Sequence, residues 1–202
     1  KLLFSVSDRW ILSKFNEVKK LSTESLEEFE FSKAMNATRN FFWLDFADFY
    51  IEEVKHRIYN ESDPSRPAAQ FVLRKVMFET IKLLAPFLPF ITEEIAQFFS
   101  SEMKTKSIHL EEWPEFEKTF VNEKAQKTGE MIKEIISVVR REKTKKQLSL
   151  NSEIKAITLF GPIALKDGLE EIKQTMKAQK IELSKGKGEI EVSKDLSLSI
   201  QF

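Results

Sequence analysis

Between Phe31 and Tyr59 the chain has neither Gly nor Pro, and the middle of this stretch, Phe41-Phe42-Trp43-Leu44-Asp45-Phe46-Ala47-Asp48-Phe49-Tyr50-Ile51, carries large apolar side chains on nearly every helical side. A run of this kind reads as one long helix, closed by Asn60 and the breaker cluster Ser62-Asp63-Pro64-Ser65. A helix that is apolar all round has to be buried among several partners, so it is expected to be the central post of a bundle. The fold class that follows is mainly α.

The partners are legible on either side of it. Ser7 with Asp8, Arg9 and Trp10 reads as a helix start, and Ile11, Leu12, Phe15, Val18 and Leu21 recur at helical spacing until Ser22-Thr23 interrupts them. Pro67 suits the first turn of a helix reaching about Leu84, with an apolar face and a basic face from which Arg74, Lys75 and Lys82 are expected to point outward. Pro86 and Pro89 stop that helix, and Thr92 with Glu93 and Glu94 opens a short one through Phe98. Ser107 to Pro114 alternates briefly and ends at Pro, as a strap across the bundle would. From Asn122 a further helix carries Ala125, Ile132, Ile135, Ile136 and Val139 into the basic end Arg140-Arg141-Glu142-Lys143-Thr144-Lys145-Lys146.

Beyond Ser149 the pattern changes. Ile154 to Phe160 is strand-like, Leu165 to Met176 is amphipathic helix, and Lys180 to Leu183 and Glu189 to Val192 read as short strands around Lys185-Gly186-Lys187-Gly188, expected to be a hairpin turn. The expected organisation is a helical bundle over 1–121, a connecting helix with a basic C-terminal end over 122–146, and a small α/β unit of β-α-β-β order over 147–202.

Composition narrows the functions available. The 202 residues are 42% hydrophobic and 32% charged, with Phe at 18 positions, so a real core can form. There is no Cys, which excludes disulfides and thiolate metal sites and suits a cytoplasmic location. No apolar run approaches the roughly 20 residues of a membrane span, so no membrane partner is expected. The chain opens inside a pattern and without Met, as a piece of a longer polypeptide would. Net charge is zero, so any grip on nucleic acid has to come from local patches.

A search for catalytic chemistry finds none. His56 and His109 are far apart and neither has a partner at metal-ligand spacing, so no metal site is expected. With five Gly in all there is no phosphate-cradling loop and no nucleophile elbow. Glu93-Glu94 and Glu111-Glu112 read as solvated faces, since adjacent helical residues point different ways. The basic end of the connecting helix sets five cations against one Glu, although cations at a helix C-terminus also complement its dipole. A second basic cluster, Lys55-His56-Arg57, follows the aromatic run; aromatics beside cations suit RNA loops, whose bases can stack while phosphates meet Lys or Arg. Of Phe49, Tyr50 and Tyr59, at most one or two rings should be exposed enough for that.

The order of these segments resembles the anticodon-binding region of class I aminoacyl-tRNA synthetases, and within them most closely the valyl-tRNA synthetases. The resemblance rests on Asp8-Arg9-Trp10-Ile11-Leu12, on Phe42-Trp43-Leu44-Asp45-Phe46-Ala47-Asp48-Phe49-Tyr50-Ile51-Glu52-Glu53-Val54-Lys55-His56-Arg57-Ile58-Tyr59, on Leu83-Leu84-Ala85-Pro86-Phe87-Leu88-Pro89-Phe90-Ile91-Thr92-Glu93-Glu94-Ile95, and on Ile108-His109-Leu110-Glu111-Glu112-Trp113-Pro114. Isoleucyl- and leucyl-type enzymes share the Pro-containing element; Trp43 with Tyr50-Ile51-Glu52 and Lys55 is similar to the valine enzymes.

The resemblance implies a class Ia anticodon-binding helical bundle whose partner is tRNA, tRNA-Val by the valine likeness, with the catalytic domain of the same polypeptide upstream. That domain's His-Ile-Gly-His and Lys-Met-Ser-Lys-Ser signatures are not in this sequence. The resemblance therefore implies no catalytic residues and no cofactor here, ATP and Mg belonging to the whole enzyme. The bacterial enzymes' C-terminal coiled coil has no counterpart, as in archaeal forms. By the family's motif Tyr50, Ile51, Glu52 and Lys55 lie nearest the anticodon bases, and Arg74, Arg140, Arg141, Lys143 and Lys146 are expected to meet phosphates. The alternative from another class is a helical protein-interaction module whose basic face meets an acidic partner.

Overall fold

The computed structural model describes residues 2–202, and its first element is set by a reciprocal cap. Ser5 accepts from the Asp8 backbone N–H while the Asp8 carboxylate accepts from the Ser5 N–H, so α1 (Val6–Glu27) starts at Ser5 and not at Ser7. It also continues through Ser22-Thr23, the expected stop. Ser22 is buried with its hydroxyl 3.0 Å from that of Thr38, so the polar stretch is a contact with the next helix rather than a turn.

The long segment is helical throughout, as α2 (Phe31–Asn40), a π-helical stretch (Phe41–Tyr50) and α3 (Ile51–Tyr59). Phe41, Phe46, Phe49 and Tyr50 are buried, with Trp10 meeting Phe49 edge-on at 5.3 Å. The expectation of burial on every side fails at two residues, because Trp43 is 62% and Leu44 52% exposed. The wider π turn sets Trp43 and Leu44 side by side toward solvent and Asp45 and Phe46 side by side toward the core.

Helix α4 (Arg66–Leu84) and α5 (Pro89–Ala96) are separated by the Pro86 turn, and the strap runs through a single 3-10 turn, Ile108–Leu110, without forming a strand. It is pinned to α1, since the Trp113 indole donates to the Thr23 hydroxyl and the Glu117 N–H donates to Asn16. Asn122 caps α6 (Glu123–Lys145), which lies along α1.

At that crossing Gly129 is required by close approach: a Cβ there would come within 2.2 Å of the buried Trp10 ring. In an open helix Gly→Ala gains about 1 kcal/mol. Here overpacking, at about 1–3 kcal/mol and near its upper end for such a contact, should win. Gly129→Ala is expected to lower the melting temperature by roughly 4–8 °C in a thermal unfolding scan; an unchanged or raised value would contradict this packing.

The remaining elements build a four-stranded sheet in the order β2-β1-β4-β3. Strands β1 (Ile154–Phe160) and β2 (Ala178–Ser184) are parallel and joined through the crossover helix α7 (Leu169–Met176), while β4 (Leu196–Gln201) is antiparallel to both β1 and β3 (Ile190–Ser193). The β-α-β-β expectation thus gains a fourth strand. The Lys185–Gly188 segment is not a hairpin, because it carries the chain from one edge of the sheet to the other, and a Cβ on Gly188 would strike the Leu198 backbone at 2.6 Å. Ile157, Leu159 and Leu198 join the same hydrophobic core as Trp10 and Ile132, so a helical bundle is followed by a small α/β unit packed onto it.

Candidate nucleic-acid interface

One face of the long helical segment stays open to solvent, along Asp48, Glu52, Lys55 and Tyr59. Spacing of three to four residues places these on one stripe, and the stripe is polar apart from Tyr59, which is 80% exposed. The end of α6 meets it, since the Arg140 guanidinium donates to the Asp48 carbonyl at 3.3 Å. The next guanidinium, Arg141, is exposed, as is Lys146, whose ammonium sits 5.1 Å from the Phe202 ring centroid. Glu52 and Lys55 form an exposed ion pair, and Ile51 is half-buried beside them.

Other expected members are elsewhere. Tyr50 is fully buried and donates its hydroxyl to Asp8 at 2.6 Å; burial and then the Asp8 charge push its pKa well up, so it is a core hydrogen-bond donor and cannot touch a base. Lys143 is equally buried, and its ammonium donates to the carbonyls of Leu150, Ser152 and Met176 at 2.7–3.0 Å. Its three donors are thereby used, which removes it from the phosphate set. Burial, then the positive charges of Lys177 and Arg140, lowers its pKa. Arg74 is exposed but paired with Glu102 and lies 5.6 Å over the Phe99 ring. Lys75, expected to face out, turns instead to Glu79 and Glu117.

The Lys55-His56-Arg57 cluster does not exist as a surface patch. Arg57 is 3% exposed and grips both oxygens of Asp8 at 2.8 Å, with Ser65 and the Ser5 hydroxyl accepting its remaining donors. His56 is half-buried with Nδ1 on the Glu53 carbonyl, and burial lowers its pKa. Of the three rings considered for stacking, Phe49 and Tyr50 are sealed in the core and Tyr59 is exposed.

The carboxylates flagged in sequence serve loops. Glu93 accepts from Ser107 and Ile108, and Glu111 from the Lys104 and Thr105 backbone, which holds the strap against α5. His109 is exposed on the Pro89 carbonyl. Among the described residues no group of three or more His, Asp or Glu side chains is arranged to hold a metal ion, and no helix is long and apolar enough to cross a membrane.

Sequence reasoning missed the buried ionic posts of the bundle: Asp8 with Arg57, and Lys19 between Glu79 and Glu117. A signal was present. Lys143 falls on the stripe of Ile132, Ile136 and Val139, and Arg57 on that of Phe46, Tyr50 and Val54, so both charges occupy core-facing positions by helical spacing alone.

Comparison with known proteins agrees with the bundle. Residues 8–158 match the family model described as the anticodon-binding domain of tRNA ligase. Over 188 residues, 91% of this chain and 21% of the relative, the sequence is 37% identical to a valine–tRNA ligase of Thermococcus kodakarensis and 40% identical to one of Methanothermobacter thermautotrophicus. A valine–tRNA ligase of Archaeoglobus fulgidus is 39% identical over 170 residues, 84% of this chain and 19% of the relative. The chain thus spans about one fifth of the length of these relatives. The match runs from α1 through α6 and on into β1: this chain belongs to the anticodon-binding domain family of tRNA ligases.

Proposed function

We propose that the domain docks the anticodon stem and loop of a tRNA, tRNA-Val by the likeness to valine ligases, as the recognition part of a cytosolic valine–tRNA ligase. Activation of the amino acid with ATP and Mg is assigned to the rest of that enzyme. The observation that carries the reading is the Arg140 contact with Asp48, because it joins a cationic helix end to an open polar stripe. Phosphate contacts set register and base contacts supply identity. Arg140, Arg141 and Lys146 take the first role. Glu52, which can accept from an exocyclic amine, takes the second with Lys55, Ile51 and the exposed Tyr59 ring. Tyr50 and Lys143 have no place in it, and Arg74 is held apart by Glu102.

A titration of tRNA-Val and of bulk tRNA over a series of salt concentrations tests this. Affinity should fall steeply with salt, and Arg140→Ala with Arg141→Ala should flatten the log–log slope by about 1.5 while weakening all tRNAs alike. Glu52→Ala should change the order of preference among anticodons. Salt-independent binding, or identical behaviour of both variants, would reject the assignment.

A protein contact is favoured at one other place, where Phe90 (90%), Phe98 (79%) and Leu110 (68%) lie open on α5 and the turns around it. Large apolar side chains left this open suit a protein contact, and in the ligase reading they are assigned to the remainder of the polypeptide.

A further inference from the structure

We propose that Glu53 of α3 and Glu171 of α7 form a proton-holding latch that seats the C-terminal α/β unit on the bundle, closed while the pair keeps a proton and loosened when both ionise. The two carboxyls come from elements packed against each other, and both side chains are buried, at 1% and 7% exposure. Oε2 of Glu53 and Oε1 of Glu171 are each buried without a hydrogen-bond partner. Two buried carboxylates in that state would be costly, because an unpaired charge away from water pays most of its hydration and gains nothing in return.

Among the described residues no cation forms an ion pair with either carboxyl, and Arg57, whose charge acts on Glu53, is committed to Asp8. From α1 the pocket receives Asp8, a further negative group, the Ser7 hydroxyl beside Glu53, and the Ser5 hydroxyl and Ser7 N–H beside Glu171, which offset burial only in part. The long helix contributes Tyr50, whose hydroxyl is given to Asp8, and Arg57, whose guanidinium is held by Asp8 and Ser65. His56 turns its Nδ1 to a carbonyl, and its burial favours the neutral ring. On α7, Glu170 is exposed beside Gln174, and just before it Asp167 pairs outward with Lys124. From α6, Lys143 reaches only the other end of α7, where Met176 and two loop carbonyls occupy it.

Burial is the main force raising Glu53 well above the ordinary carboxylate range, followed by the charge of Glu171; burial likewise raises Glu171. The folded chain then binds more protons than the unfolded one. The pair's contribution to stability is fully present below the ordinary carboxylate pKa and is lost as pH rises from that range toward the raised value, the closed-to-open ratio falling about ten-fold per pH unit for one proton. Because α7 packs on α3 and receives Lys143 of α6 at Met176, the latch also sets the spacing between the open stripe and the cationic helix end.

The test follows amide protection of α7, β1 and β2 in the 202-residue chain against pH, corrected for intrinsic exchange. Wild type should lose protection about ten-fold per pH unit within the window. Glu53→Gln and Glu171→Gln should flatten that slope, and Glu170→Gln should leave it unchanged. Equal slopes in wild type and both buried-site variants overturn the latch. Since each Gln amide must itself find partners, a carboxyl-carbon titration of the wild-type chain by NMR gives a second reading. One of the two glutamates should stay protonated well past the ordinary carboxylate range, and ionisation of both within it overturns the proposal. Weaker tRNA binding across the same window is expected where the RNA reading holds, whereas the exchange and titration results stand without it.

Discussion

Arg57→Ala is expected to destabilise the chain by about 3–5 kcal/mol, the size of effect found when one partner of a buried ion pair is removed. The cause is what remains: the Asp8 carboxylate, fully buried, would lose two charge-assisted donors at 2.8 Å and keep only Tyr50 and the Ser5 N–H. Since Asp8 also caps α1, the damage should spread to the helix that contacts α2, α4 and α6. A fall in melting temperature of roughly 10 °C or more is expected for a chain of this size. Asp8→Asn combined with Arg57→Met should lose less than the sum of the single changes, because neither charge is then left alone. Additive losses in denaturant titrations would mean that the pair is not coupled as described.

Lys143 and its neighbours give the second contrast. Lys143→Met keeps an unbranched stem one atom shorter but leaves the Leu150, Ser152 and Met176 carbonyls without their donor. Buried groups left unpaired cost about 1–3 kcal/mol each, partly offset here by removing a desolvated charge, so a loss of roughly 2–4 kcal/mol is expected. Arg140→Ala with Arg141→Ala, two and three residues away in sequence, should leave stability within about 0.5 kcal/mol, as surface changes generally do, and act on RNA affinity. Measuring unfolding and tRNA binding on the same two proteins separates a structural cation from a binding one. A stable Lys143→Met protein with impaired RNA binding would restore Lys143 to the interface.

Much of the architecture could be read from apolar spacing and breakers. Pro67, Pro86, Pro89 and Asn122 mark real helix ends, and the change of period after Ser149 marks the start of the sheet. Errors arose where a polar residue does core work. Ser22 was read as a stop because hydroxyls compete with helix backbone, yet it is buried against Thr38. The β4 strand, Leu-Ser-Leu-Ser-Ile-Gln, carries a clear alternation that the three-strand expectation leaves out, and without it Lys185–Gly188 has no far edge to cross toward. For the interface, charge type was legible and direction was not. Arg141 and Lys146 are exposed while Lys143 between them is sealed in, a distinction that depends on the phase of α6 rather than on its composition. Partners supplied from distant sequence, such as Asp8 for Arg57, are invisible to any local window.

The π-helical stretch bears on how sequence length converts into direction. Each turn that bonds five residues back, as the Ile51 N–H does to the Phe46 carbonyl, takes up one more residue than an α turn for nearly the same angular advance. The segment from Phe41 to Tyr50 therefore acts as a vernier between the two halves of the post. Residues before it answer to α1 and α4, residues after it to Asp8 and α7, and the offset lets both sets point correctly from one continuous rod. Shortening the stretch by one residue would regularise the hydrogen bonding and yet swing Glu52, Lys55 and Arg57 together about the axis, so the irregular pitch is what lets a buried guanidinium and an open polar stripe coexist on neighbouring turns.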